Sequence, residues 1–167
     1  MTPPRELGRD LRLRTNPDLH RRRWLVGLSL LGVAMGQIVA LFQTGIVRRL
    51  PDPPVGPFDS GRVDASDYAY KRLQVPDAFS MIGTYAVAAG LAAAGGRDRA
   101  DTAPLLPVAL AAKTVLDSAT SLKLAQEEWA ENRVLCAHCQ VATAVSLVSV
   151  ALAPPEAARG LRRLMGR

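Results

Sequence analysis

Charge is missing from three long stretches of this 167-residue chain: Trp24 to Val47, Ala78 to Gly96, and Val134 to Pro155, where His138 is the one imidazole. A fourth apolar stretch, Ala103 to about Ala125, carries Lys113, Asp117 and Lys123. A soluble bundle would show a polar face on its surface helices, so segments apolar all round argue against one. Cysteine is nearly missing too, with two in the whole chain. A structural metal site needs more ligands than Cys136, Cys139 and His138, which cannot all face one ion from a single regular turn, so no metal is expected. Covalent haem attachment needs His directly after the second Cys, and Gln140 stands there. No internal repeat is present, and no convincing signal-cleavage site follows the first apolar stretch, which reads as a retained anchor.

What remains is a segregated chain. The net charge of +6, the pI near 10.0 and the mean hydropathy of +0.08 average over it. Taken alone they would suggest a soluble nucleic-acid binder; segregation removes that reading, and no nucleic-acid partner is expected. A helix needs roughly 20 mostly apolar residues to cross a bilayer. The four stretches therefore predict an all-α integral membrane four-helix bundle, with helices over about 24–47, 76–96, 104–126 and 134–154. This domain, 24–155, lies between basic tails over 1–23 and 156–167. The third helix is the costly one, because charge inside a membrane is expensive.

Basic residues set the orientation. Seven fall in the first tail, two at 95–104 and four in the last tail, against five in 48–77 and one, Arg133, in the third connection. The positive-inside rule thus predicts both termini in the cytoplasm. Trp24 and Trp129 fall at the predicted interfaces. The segment 48–77 then shares the outer side with the start of the fourth helix. Its Pro51-Asp52-Pro53-Pro54 run excludes regular structure, while Ser66 to Leu73 allows a short surface helix dipping Tyr68, Tyr70 and Leu73 into the bilayer.

The chemistry-bearing motif is Cys136-Ala137-His138-Cys139. Positions i and i+3 share a helix face, so the two thiols can close a disulfide. The partial positive charge at a helix start favours thiolate. The bland alternative is two small hydrophobes in an apolar helix. Lys113 and Asp117, four apart, read as a structural ion pair facing the bundle interior or as a proton supply. Gly32 and Gly36 allow close helix approach or leave room for a flat ring. Gln37, Gln43, Thr143 and Ser146 are pocket polar groups or interhelical hydrogen bonders. The tail from Ala157 reads as a basic end for anionic lipid headgroups or as plain positive-inside charge.

Three segments together resemble the bacterial branch of the vitamin K epoxide reductase family. They are Phe58-Asp59-Ser60-Gly61-Arg62-Val63-Asp64-Ala65-Ser66, Val75-Pro76-Asp77 followed by Tyr85, and Leu135-Cys136-Ala137-His138-Cys139. The resemblance implies a thiol oxidoreductase of the bacterial cytoplasmic (inner) membrane, built as a four-helix bundle around a quinone, menaquinone or ubiquinone. It implies that Cys139 passes electrons to the quinone and that Cys136, more open to the outer side, exchanges with a thiol partner such as a thioredoxin-like carrier. Ser66 matches the family's loop serine, and Asp77 falls where relatives place a polar group toward a quinone oxygen. Thr143 is a third candidate for the pocket. Two departures stand out. Family members usually carry a second cysteine pair in the outer loop, and here Ser60 stands at one of its positions with nothing replacing the other. Met81 stands at a usual glycine, with Gly83 close by. A non-catalytic membrane scaffold keeping the bundle and a structural disulfide is the alternative that the missing pair favours.

Overall fold

A computed structural model describes residues 3–71 and 74–166. Among these residues the chain is helical without a strand. In order come α1 (Pro4–Leu13), α2 (Pro17–Gln43), α3 (Ser60–Asp64), a 3-10 turn (Asp67–Ala69), α4 (Asp77–Ala93), α5 (Arg99–Thr102), α6 (Leu105–Asn132), α7 (Ala137–Leu152) and α8 (Pro154–Leu164).

Helices α2, α4, α6 and α7 form the bundle. Both α2, 27 residues, and α6, 28 residues, are long and apolar enough to cross a membrane. So are α7 and α8 taken as one span bent by 46°; α4 is apolar but shorter, at 17 residues. Leu30, Leu31, Leu41, Phe79, Val87, Val115, Leu116, Leu147 and Val148 point outward and are exposed. Large apolar side chains on the outside of a bundle are what a lipid solvent calls for.

The interior is rich in alanine, with a few large side chains among the small ones. At one end Leu25, Ala92, Leu110 and Ala153 pack together; at the other, Val39, Ala40, Val63, Tyr68, Ala78 and Cys136. Tyr85, Ala142 and Val145 lie between. A Cβ added at Gly32 would sit 2.6 Å from the Tyr85 ring, and one at Gly36 would sit 2.8 Å from Ile82. The space over these glycines is therefore filled by α4, and close helix approach is the use the fold makes of them.

Two elements differ from the apolar boundaries. Helix α2 starts at Pro17, capped by Asn16, whose side chain accepts from Leu19 N at 2.6 Å. It runs unbroken through Arg21, Arg22 and Arg23 because Arg22 finds carbonyl partners inside the fold. Helix α6 runs on to Asn132 and ends on Arg133 in the left-handed region at φ 58°. The surface helix expected over Ser66–Leu73 is a single 3-10 turn, and Leu73 lies outside the described residues. Tyr68 does not dip outward: it is buried, and its hydroxyl donates to Leu124 O at 2.8 Å.

Candidate functional site

The site grows from the join between the long loop and α7. Leu135 N donates to Pro57 O at 2.8 Å and Asp59 N to Leu135 O at 3.0 Å, a short parallel bridge that lays the loop against the start of α7. Cys136 follows as the N-cap residue, and its Sγ accepts from Cys139 N at 3.2 Å. One N–H of the first turn, which has no partner within the helix, is thus taken up by this sulfur. Sγ of Cys136, Sγ of Cys139 and a carboxylate oxygen of Asp64 all lie within 4.8 Å of one another. Both cysteines are free thiols in this structure.

Around the pair the loop is held by acids. Asp52 accepts twice from Ser60, from N at 2.8 Å and from Oγ at 2.5 Å. Ser60 Oγ in turn accepts from Ala137 N at 2.9 Å and lies 3.4 Å from His138 Nδ1. Glu128, on α6, accepts from Cys136 N and, at 3.3 Å, from Gln140 Nε2. Asp64 is 1% exposed. Burial, followed by the neighbouring acids, pushes its carboxyl up to about 7 against a hydrogen bond from Cys136 that works the other way.

Below the thiols opens a cavity of about 510 Å³, within the size of common small-molecule sites. Val63, Met81, Tyr85, Leu124 and Ala142 supply much of its wall; Cys139, Thr143, Asp64, Asp77, Thr84 and Glu128 supply polar points. A flat, mostly apolar ring with oxygens at its rim fits such a lining, which offers hydroxyl and carboxyl groups at both depths. Deeper in, Lys113 donates to Asp117 at 2.6 and 2.5 Å and to Thr84 Oγ1 at 2.6 Å. Asp117 and Thr84 reach the cavity, while the lysine is taken up by them.

The candidates named from the sequence thus separate. Cys139, Asp77 and Thr143 line the cavity. Asp77 accepts from Gln43 Nε2 at 2.8 Å, and Thr143 Oγ1 donates back to Cys139 O at 3.0 Å. Ser66 does not reach it; its hydroxyl donates to Val63 O at 2.6 Å within the loop. Gln37 is exposed. The expected exposure of the pair is reversed: Cys136 is 0% exposed, covered by Ser60, Val63 and Asp64, and Cys139 is the half-buried sulfur on the cavity. Asp64, Glu128 and Asp52 enter the site without having been singled out for it. Their one sequence signal is carboxyls flanking the motif segments.

A family profile described as the vitamin K epoxide reductase family matches residues 23–153. The chain belongs to the vitamin K epoxide reductase family. No curated protein and no solved structure matches it. The matched span of this vitamin K epoxide reductase family member takes in α2, α4, α6 and α7 and stops at the bend before α8. Membership supports oxidoreductase chemistry in a membrane, and a pair of thiols beside a cavity is compatible with it. Ser60 plays a structural part by tying Asp52 to the first turn of α7.

Proposed function

We propose that the protein is a membrane thiol–quinone oxidoreductase in which Cys136 and Cys139 cycle between dithiol and disulfide. The observation that carries this reading is the placement of Cys139 on an apolar cavity of about 510 Å³ with Cys136 stacked behind it at the helix start. A quinone bound there supplies the sink for two electrons and two protons. Cys139 faces it; Cys136 closes the disulfide from the buried side. Thr143 and Asp77 hold the ring's polar rim, and Tyr85, fixed by donating to Ala142 O at 2.5 Å, forms part of the wall. The bilayer supplies the quinone, menaquinone or ubiquinone. The orientation proposed is the one the basic residues favour, with both termini in the cytoplasm of a bacterial inner membrane.

Return of the pair to the dithiol needs an outside thiol, such as a thioredoxin-like carrier. Because Cys136 is covered, exchange goes through Cys139 or through lifting of the Asp52–Ser60 segment. An oxidising exterior suits this traffic. The test is direct: purified protein plus dithiothreitol should reduce a short-chain quinone, read by its absorbance. Cys136→Ser and Cys139→Ser should each abolish the reaction; unchanged turnover in either sinks the mechanism.

One observation favours a second reading, a non-catalytic scaffold. The loop lacks cysteines and is bonded shut over Cys136 by Ser60 and Asp52. Mild-detergent purification separates the two. Co-purified quinone supports the enzyme; an empty protein without thiol-dependent quinone reduction supports the scaffold.

A further inference from the structure

Four carboxylates surround the thiols, and three of them are engaged. Asp52 gives both oxygens to Ser60. Glu128 gives one to Cys136 N and the other to Gln140. Asp77 receives Gln43. Asp64 differs. One of its oxygens, Oδ2, is buried and has no hydrogen-bond partner among the described residues. Its carboxyl shares a hydrogen bond with the Cys136 thiol. It closes α3, a single turn pinned by Asp59, which accepts from Arg62 N at 3.0 Å, and its backbone carbonyl receives Gln43 Nε2 at 3.4 Å. A buried, unpaired carboxyl oxygen costs stability, so its place beside a reacting thiol calls for a use.

We propose that Asp64 is a catalytic residue that takes the proton of the Cys136 thiol as the disulfide closes; the assignment rests on the thiol–quinone reading above. Closing the disulfide breaks two S–H bonds and forms one S–S bond. Two electrons pass to the quinone. The Cys136 proton goes to the Asp64 carboxyl with which its thiol shares a hydrogen bond, the Cys139 proton leaves into the cavity that Cys139 lines, and both protons end on the reduced quinone. The charged groups facing Asp64 are acids on three elements: Asp52 on the loop, Asp77 on α4 and Glu128 on α6, with Cys136 and Cys139 at the start of α7. Helix α2 contributes the neutral Gln43. An acid among acids, out of water, holds a proton near neutral pH, which is where a base for this step needs to work.

The test removes the quinone from the assay. Reduced protein in detergent is oxidised by diamide, which accepts the two hydrogens itself, and pair closure is followed by mass-tag alkylation across pH. Wild type should oxidise with a rate that rises through one step near neutrality. Asp64→Asn should be slower by about tenfold or more at pH 7, with a rate that follows hydroxide and shows no step. Asp64→Glu should restore a step at a displaced pH. An Asn variant with the wild-type profile overturns the assignment. If the Asn variant does not fold, a Glu variant whose step is unmoved overturns it. Quinone reduction separates the two ideas. Equal quinone turnover in wild type and D64N leaves the quinone reading standing and rejects Asp64. A slow D64N in diamide, with no quinone reduction by any form, keeps Asp64 and rejects the quinone.

Discussion

At one end of the bundle the buried arginines are tied down; at the other, beside the thiols, acids crowd together and one stays half-used. The tied end is built on arginine. Arg22 donates to the carbonyls of Ala92, Ala94, Gly95 and Gly96 at 2.9 Å and to Ala93 O at 3.2 Å. Arg99, 0% exposed, donates to Leu91 O at 2.7 Å and Ala94 O at 2.8 Å, and makes two bonds to Glu156 at 2.9 and 2.7 Å. These carbonyls end α4, where a helix leaves acceptors without partners and favours cations. The thiol end has the opposite sign, with Asp64, Glu128 and Asp77 around two sulfurs, and leaves one oxygen of Asp64 without a hydrogen-bond partner among the described residues. One end fixes the short helix α4; the other keeps groups that can change charge. A scaffold could be sealed at both ends, so the asymmetry itself argues for chemistry at one of them.

The largest break in this contrast should come from Arg99→Met. It strands Glu156 as a buried charge and frees the α4 carbonyls. Breaking a buried ion pair in this way costs about 3–5 kcal/mol. Denaturant unfolding in mild detergent should show a loss of that order. A loss near zero would mean that the arginine does not hold α4 in place.

The second effect is a pH slope from the thiol end. Asp64 titrates near 7 when folded and at 3.8 as a free carboxyl. The folded state therefore binds the extra proton between these values, and stability falls as pH rises from 3.8 through about 7. Each pH unit of that window is worth up to about 1.4 kcal/mol. Below 3.8 both states are protonated, and the favourable contribution is fully present. D64N should flatten the slope and unfold later than wild type at about pH 8. Equal slopes in both proteins would show that Asp64 is solvated rather than buried.

Smaller still is Ser60→Ala. It removes the hydroxyl's bond to the Asp52 carboxylate and leaves Ala137 N without its acceptor. A loss of about 1–3 kcal/mol is expected, with faster alkylation of Cys136 as the loop lifts. Loss of stability without faster labelling would place the cover over Cys136 elsewhere, on Val63 or Tyr68.

How much of this the sequence carried differs between the ends. Uncharged runs mark α2, α4 and α7 because apolar length is a one-dimensional property. The Cys136–Cys139 spacing marks the first turn of α7 for the same reason. Burial of charge is three-dimensional, and there the reading failed on particular residues. Arg22 reads as one more positive-inside charge, yet it folds into the carbonyls of a helix 70 residues away. Nothing in the sequence marks Asp64 and Glu128 as buried before α3 and α6 close over Cys136. Ser66, matched by family resemblance, turns to Val63 instead of the cavity because a one-turn α3 sets its direction.

The smallest effect sharpens the contrast best. Arg97 lies two residues from Arg99, carries the same charge and pairs with Asp98 at 3.0 Å. Its side chain is 42% exposed and its partner's 57%, so water solvates both when the pair breaks. Exposed pairs contribute little because the gain in charge attraction is offset by ordering two side chains. Arg97→Met should therefore unfold at the same denaturant concentration as wild type, although it removes the same unit of charge as Arg99→Met from the same turn of chain. If the two variants lose stability equally, positive charge near α4 is what matters, and carbonyl capping by a buried guanidinium is not what distinguishes the closed end from the thiol end.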